Sequence, residues 1–342
     1  MSAQRAAALA ELNPQPWLAA VERGVTRHAS RAAWLKARAE GIGGSEAAII
    51  MGASSWGSPY QLWQDKAGLA PVEDFDNEVL RFGRVVEPVI AADYEQLTGR
   101  QLLHLGDWAI RKHPRIACMF ATHDRIIVPG VGTPPSAGRS GPGILSIKSA
   151  NTWRGVEWLE GEEPPLPYQV QFQHELACSG FTWGSFAVLV WGKGVKWIDA
   201  VRNERFIATL EAECEAFWGR VTNGDPPPID GSEHTTDALR RLYPGDGGNT
   251  VVLPPEAAVW AARVDEINAQ VKQLEAEKDE LHNRVRALLK DATEGGVPGG
   301  PAWTYRVEGA KQAELIPEHM APANPGKRVL RRKGGNRSKK GK

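Results

Sequence analysis

Two short runs, Phe120-Ala-Thr-His-Asp-Arg-Ile-Ile-Val128 and Ile144-Leu-Ser-Ile-Lys-Ser-Ala150, decide the fold of this chain. Both are short, mainly apolar and contain β-branched residues, which favours buried strands. Each nevertheless carries a charged residue near its middle, Asp124 in the first and Lys148 in the second. Burying such a charge is costly unless it is paired or bound to a counter-ion. The two runs therefore predict strands that hold either a structural ion pair or half of a metal site.

Around these runs, helical and strand patterns alternate, which predicts an α/β fold. The predicted strands are residues 108–111, 119–128, 143–149, 185–191, 196–201 and 302–308. The predicted helices are residues 30–40, 46–51, 59–66, 77–97, 167–179, 205–222 and 255–291. Apolar residues recur in the last helix at coiled-coil-like spacing, which fits either packing on its own domain or an oligomer.

Composition shifts divide the chain into four regions. We expect an N-terminal lead-in at residues 1–29, a main domain at 30–230, a C-terminal region at 231–326 and a disordered basic tail at 327–342. Nine of the 41 basic residues lie in that tail, which has no acid, so the rest has 32 basic residues against 41 acidic ones. A basic tail on an acidic body favours a polyanionic partner, or is simply solvated.

The three cysteines and the hydropathy pattern limit where the chain acts. Cys118, Cys178 and Cys214 lack the spacing of a metal site and predict a reduced, intracellular protein. No apolar run reaches the length of a membrane helix, so we expect no membrane partner.

A third charge, Glu87, lies in the predicted helix 77–97. A lone helical glutamate is usually a solvated surface residue. Together with Asp124 and Lys148, however, it resembles the PD-(D/E)xK nuclease arrangement, which combines a helical Glu, an Asp on one strand and Glu-x-Lys on the next. In that arrangement hard oxygen ligands hold Mg²⁺, which activates water and stabilises the charge of the transition state.

Further motifs make the resemblance more specific. They are Gly41-Ile-Gly-Gly-Ser-Glu-Ala-Ala48, Ser58-Pro-Tyr-Gln-Leu-Trp63, Lys66-Ala-Gly68, Phe82-Gly-Arg84, Val86-Glu-Pro88, Thr98-Gly99, Gln171-Phe-Gln173, Ser179-Gly180, Phe217-Trp218 and Asn223-Gly-Asp-Pro-Pro227. In this order they resemble the YqaJ-like phage recombinases, which are lambda-exonuclease-like PD-(D/E)xK nucleases. The resemblance implies a restriction-endonuclease-like core, with a central mixed sheet flanked by helices and a long C-terminal helix.

The same resemblance implies an activity and its setting. The protein is expected to be a 5′–3′ exonuclease that hydrolyses double-stranded DNA ends with Mg²⁺ or Mn²⁺ during recombination. Its partners would be DNA ends and a single-strand annealing protein, in the cytoplasm of a bacterial host. Related exonucleases can form rings around DNA, and the sequence leaves open whether this chain forms a homo-oligomer.

Roles for individual residues also follow from the resemblance. Catalysis is expected from Glu87, Asp124, Lys148 and Gln173, and metal binding from Glu87, Asp124 and the backbone carbonyl of Ile147. Phosphate binding is expected from Arg38, Ser45, Thr122 and Arg154, because an Arg fork and hydroxyls at a helix start suit an anion.

One position departs from the family pattern. Ser146 stands where Glu-x-Lys has its glutamate, and a serine oxygen is a weak ligand for magnesium. Another acid could compensate, with Glu175 as a candidate and His123 as a further contributor, although residues two apart on a helix, such as Gln173 and Glu175, point apart. Alternatively, the protein is a catalytically inactive accessory protein that binds DNA ends, or the serine was introduced artificially.

Overall fold

The computed structural model describes residues 16–69, 78–130, 132, 139–150, 163–245, 248, 250–308, 314–316, 319–321 and 327–333. Backbone contacts divide the chain into two compact units, Met1–Gly245 and Asp246–Lys342. The first unit contains every residue for which the sequence predicts a site role.

Helices and short strands alternate in the first unit. Its described helices are α1 (Pro16–Glu22), α2 (Arg31–Ala39), α3 (Gly44–Ile50), α4 (Pro59–Lys66), α5 (Glu78–Thr98), α6 (Leu166–Ser179), α7 (Glu204–Asn223) and α8 (Glu233–Leu242). Its described strands are β1 (Val25–Arg27), β2 (Leu102–Leu103), β3 (Ala109–Lys112), β4 (Phe120–Ala121), β5 (Arg125–Ile127), β6 (Gly143–Ala150), β7 (Trp183–Val190) and β8 (Gly194–Val201). Local signals set several of these boundaries: Ser58 and Asn203 cap α4 and α7, and Gly180 ends α6 in a left-handed conformation.

The main sheet of this unit has five strands in the order β2-β5-β6-β7-β8. Strands β6 and β7 are parallel, whereas the other neighbouring pairs are antiparallel. A parallel pair of strands requires a crossover connection. Helix α6 lies in the crossover from β6 to β7, so the helix runs antiparallel to both strands. Strands β1, β3 and β4 form a separate sheet.

A helix covers each face of the main sheet, because alternate residues of a strand face opposite sides. On β6, Leu145 and Ile147 belong to one apolar cluster, which includes residues of α5. Ile144 belongs to the other cluster, which includes residues of α6. Ser146 and Lys148 are in phase with Ile144 and therefore lie on the α6 face of the sheet.

The predicted fold class is confirmed, since a central mixed sheet is flanked by helices and a long helix follows it. That helix, α9 (Glu256–Leu289), belongs to the second unit and has 34 residues. Its apolar seam is exposed, including Val264, Val271 and Leu274. In the part of the chain that the structure describes, no helix combines the length and apolar character needed to cross a membrane.

The second unit also contains short strands. They are β9 (Glu294–Gly296), β10 (Ala302–Glu308), β11 (Glu314–Ile316), β12 (His319–Ala321) and β13 (Lys327–Lys333). Strand β13 pairs along its length with β10. Residues 327–333, which the sequence assigns to a disordered tail, form a strand beside β10, the middle strand of its sheet, while residues 334–342 lie outside the described residues.

Two other stretches are more ordered than the sequence predicts. Within the lead-in, Val21 of α1 is buried, and β1 pairs with β3. Residues 231–254, predicted to be irregular, contain α8, in which Ala238 is buried and Leu239 and Leu242 are half-buried on the same side of the helix. Polar contacts hold it as well. The Gln64 side chain donates to the Ala238 carbonyl at 3.0 Å, and Thr235 donates to Ser58 at 2.7 Å. Helix α8 thereby joins the first unit, which extends past the predicted limit at residue 230.

Candidate active site

Asp124 lies in the connection between β4 and β5, and not in the middle of a continuous strand as the sequence predicts. Leaving the strand frees its carboxylate to turn toward β6. There Oδ2 accepts a hydrogen bond from the backbone N–H of Ile147 at 2.6 Å. The bond fixes the carboxylate beside the segment that carries Ser146 and Lys148.

Glu87 approaches the same place from α5. Its Oε1 accepts a hydrogen bond from Arg125 Nη1 at 2.6 Å. Burial and the nearby charge of Asp124 raise the pKa of Glu87 above its ordinary value, although Arg125 opposes this shift. The two carboxylates are thus close enough to repel each other, as expected of ligands that share a cation.

Lys148 reaches toward α6 from β6. Its Nζ donates to Gln171 Oε1 at 3.3 Å and lies 5.3 Å from the centre of the Tyr168 ring. The Gln171 amide in turn donates to Glu175 Oε1 at 2.8 Å. Gln171 therefore links the lysine of the site to a carboxylate on the helix.

Glu175 is buried, with 4% of its surface exposed. Burial, and then the charge of Asp124, raise the pKa of Glu175 to about 8, although Lys148 and the bond from Gln171 lower it. The electrostatic influence of both Asp124 and Lys148 shows that Glu175 belongs to the same group of charges.

Gln173 does not take part in this group. Its Nε2 donates to the Val201 carbonyl at 2.9 Å, and its Oε1 accepts from the Asn203 backbone N–H at 2.9 Å. The glutamine that contacts the site is Gln171, because residues two apart lie on different sides of a helix while residues four apart share one. The i, i+4 spacing of Gln171 and Glu175 shows that these two residues share a side of α6, but it does not show that this side covers the sheet.

Ser146 is buried on the same face of β6 as Lys148, with 1% of its surface exposed. Its hydroxyl oxygen has no hydrogen-bond partner within the described residues. His123 is also buried, and neither of its ring nitrogens has a partner there. Burial holds the pKa of His123 well below its ordinary value, so the ring is neutral.

Arg38 occupies the end of α2, near the start of β4. Its guanidinium carbon lies 4.9 Å from the Trp34 ring centre and 5.4 Å from that of Phe120. Ser45 is exposed in the first turn of α3, while Thr122 is half-buried two residues before Asp124. Arg154 lies outside the described residues.

Close backbone packing joins α3 to α6. A Cβ atom at Gly44 would lie 2.8 Å from Gln171 Cγ, so a side chain there would displace the glutamine. Gly41 is similarly tight, since a Cβ would lie 2.6 Å from the Cys118 carbonyl oxygen. Gly44 therefore lets α3 approach α6 and fixes Gln171, while Gly41 lets the segment before α3 approach the backbone of Cys118.

Comparison with known proteins identifies the family of this chain. Residues 33–182 match the model of the YqaJ-like viral recombinase domain. The uncharacterized protein YqaJ of Bacillus subtilis (strain 168) is 30% identical over 300 residues, which cover 84% of this chain and 89% of that protein. The chain belongs to the YqaJ-like viral recombinase family.

Solved structures show weaker likenesses to this YqaJ-like chain. The alkaline exonuclease LHK-Exo from Laribacter hongkongensis is 23% identical with a TM-score of 0.46, over 56% of this chain and 93% of that one. A phage-related exonuclease from Haemophilus somnus 129PT is 10% identical with a TM-score of 0.35, over 54% and 96% of the two chains. At these scores the likenesses carry no argument about the chemistry of the site.

The donor atoms of this YqaJ-like site fit a hard divalent cation. Among the described residues, no three acidic, histidine or cysteine side chains converge closely enough to hold a metal by themselves. Magnesium, however, commonly takes one or two carboxylates and completes its shell with water and substrate phosphate. Glu87 and Asp124 supply two mutually repelling carboxylates. The Ile147 carbonyl adds a third oxygen, since the N–H and C=O of one strand residue point to the same side.

Proposed function

We propose that this member of the YqaJ-like family is a metal-dependent exonuclease that degrades double-stranded DNA from 5′ ends. The observation that carries the proposal is the hydrogen bond from the Ile147 N–H to Asp124, which puts an acid of one strand connection beside the lysine strand. With Glu87 from α5 and Lys148 from β6, the central strand of the sheet, the group has two acids and one lysine. That combination suits phosphodiester hydrolysis, in which both metal binding and charge stabilisation are needed.

Each side chain has a role in this proposal. Bound Mg²⁺ or Mn²⁺ would polarise the scissile phosphate and lower the pKa of a water molecule. Glu87, Asp124 and the Ile147 carbonyl would hold the cation. Lys148 would stabilise the negative charge that develops on the phosphate, and Gln171 holds its ammonium group in place. Gln171, and not Gln173, is therefore the glutamine of the site, and it acts by positioning Lys148.

The DNA end would be bound next to the metal site. Arg38 is half-buried between two aromatic rings, which limits its motion and prepares the guanidinium for a terminal phosphate. Ser45, Thr122 and Arg154 are proposed as further phosphate donors on the basis of the family pattern. The 3′ strand left by such an enzyme would pass to an annealing protein in the host cytoplasm, and α9 offers a seam through which copies of the chain could assemble.

Ser146 favours a second candidate function, a protein that binds DNA ends without cutting them. A nuclease of this type that lacks one carboxylate would keep its phosphate contacts, and its binding would weaken steeply with salt. Binding without hydrolysis would then serve recombination by protecting or presenting DNA ends.

A nuclease assay separates the two functions. Linear duplex DNA with a labelled 5′-phosphate is incubated with Mg²⁺ or Mn²⁺ and with the wild type, Lys148→Ala or Ser146→Glu. An exonuclease releases nucleotides from the 5′ ends and loses activity on the order of a hundredfold or more in Lys148→Ala. Lys196→Ala, which removes an exposed lysine from β8, is the matched control and should retain wild-type activity. Salt-sensitive binding with no hydrolysis by the wild type would instead establish the binding function.

A further inference from the structure

The direction of α6 determines which of its residues face Ser146. Helix α6 runs antiparallel to β6, and Gln171 lies opposite Lys148, with 3.3 Å between Oε1 and Nζ. Four residues along α6 advance about 6 Å. Two residues back along β6 cover about 6.6 Å. Glu175 is therefore at the level of Ser146, as Gln171 is at the level of Lys148.

Ser146 provides no carboxylate at the position where a glutamate would provide one. The serine is buried on the face that α6 covers, and its hydroxyl has no hydrogen-bond partner in the described part of the chain. A serine side chain is also shorter than a glutamate and carries no carboxylate. The Glu175 carboxyl comes from the helix on that side.

The contacts of Glu175 distinguish it from a structural acid. Within the described residues it accepts a hydrogen bond from a neutral amide, that of Gln171 at 2.8 Å. Half-buried acids elsewhere in this unit have direct cationic partners, as when Glu46 contacts Lys66 Nζ at 2.8 Å. A buried carboxyl without such a partner, next to Asp124, suits a position where a cation arrives from outside.

We propose that Glu175 supplies from α6 the carboxylate that β6 lacks at Ser146, and thereby completes the acidic set of the metal site. The proposal rests on the metal-dependent function proposed above. Gln171 is a positioning residue in this arrangement, since it links Glu175 to Lys148. Among the described residues the three carboxylates do not converge closely enough to hold a metal by themselves, so small side-chain movements or bridging water would accompany metal binding.

Manganese binding tests the proposal without relying on catalysis. Free Mn²⁺ is measured by electron paramagnetic resonance during titration of the full chain, for the wild type, Glu175→Gln, Ser146→Glu and the double variant. Glu175→Gln should weaken Mn²⁺ binding at least about tenfold, since even supporting residues of metal sites contribute this much. Adding Ser146→Glu to Glu175→Gln should restore most of the affinity, because it returns the carboxylate from the strand.

Controls make the result specific to this position. Glu213→Gln removes an exposed acid of α7, and Gln173→Ala alters α6 on its other side, so both should bind Mn²⁺ like the wild type. Circular dichroism and thermal unfolding without metal verify that each variant folds. Equal affinities for Glu175→Gln and Glu213→Gln, or no Mn²⁺ binding by the wild type, would overturn the proposal. The nuclease function is tested separately. A wild type that binds Mn²⁺ through Glu175 but does not cut DNA would overturn the proposed nuclease function and leave the metal-site proposal standing.

Discussion

Two acids of the first unit, the half-buried Asp199 and the buried Glu175, have opposite surroundings. Asp199 on β8 is held by Arg100, whose Nη2 lies 2.7 Å from Oδ2, and by Arg139, whose Nη1 lies 2.8 Å from the same oxygen. Burial by itself raises the pKa of Asp199, but its bonds to Arg100 and Ser185 hold the pKa below the ordinary value. Glu175 has a pKa raised to about 8.

The contrast between Asp199 and Glu175 distinguishes an acid that stabilises the fold from an acid of the candidate site. Asp199 pairs with two arginine side chains, which offset the cost of its desolvation. At the candidate site, Arg125 partly balances Glu87, while Asp124 adds negative charge to both Glu87 and Glu175. Such an imbalance costs stability and is typical of sites that bind a ligand of opposite charge.

The largest expected effect comes from breaking the candidate site at Asp124. Asp124→Asn keeps the side-chain shape, and its amide oxygen can still accept a hydrogen bond from the Ile147 N–H. The substitution removes the negative charge that raises the pKa of Glu87 and of Glu175. We expect exonuclease activity to fall on the order of a thousandfold, with little change in the free energy of unfolding. Single-turnover cleavage and urea denaturation measure the two quantities. Activity within a few-fold of the wild type would remove Asp124 from the catalytic group.

Much of this site can be predicted from sequence, because its residues lie in patterned segments. The apolar run around Lys148 identifies β6, and the ordered motifs identify the family. The phase of α6 could not be predicted, because sequence spacing shows that Gln171 and Gln173 face different sides but not which side covers the sheet. That choice depends on long-range packing, including the close contact between Gly44 and Gln171.

Similar limits explain the other differences. Asp124 leaves the strand because its carboxylate bonds to the backbone of Ile147, a contact between segments distant in sequence. Helix α8 has only ten residues, so its apolar positions Ala238, Leu239 and Leu242 give a short periodic signal. Polar contacts with residues distant in sequence, such as that between Thr235 and Ser58, add to its order. In both cases a contact between distant segments, which has no periodic signature, contributes to the local structure.

Breaking the structural pair should affect stability and leave metal binding intact. Arg100→Met removes the main partner of Asp199 while keeping a long apolar side chain among its neighbours. We expect the free energy of unfolding to fall by about 3 kcal/mol, at the lower end of the range for a broken buried pair, because Arg139 still contacts the acid. Urea denaturation measures the loss, and the Mn²⁺ titration should match that of the wild type. A variant as stable as the wild type would show that Arg139 alone satisfies Asp199.

The smallest expected effect is the acid dependence of the structural pair. The pKa of Asp199 in the folded state lies below its ordinary value of 3.8, so the unfolded chain takes up protons first as the pH falls. The stabilisation by this carboxylate is therefore complete above pH 3.8 and is lost as the pH drops through the folded-state pKa. Asp199→Asn should lower the free energy of unfolding at neutral pH and make it less sensitive to pH below 3.8. Parallel urea titrations of both proteins across that window measure the difference. Identical slopes would mean that Asp199 has the same proton affinity folded and unfolded, and the contrast between paired and unpaired acids would then rest on geometry alone.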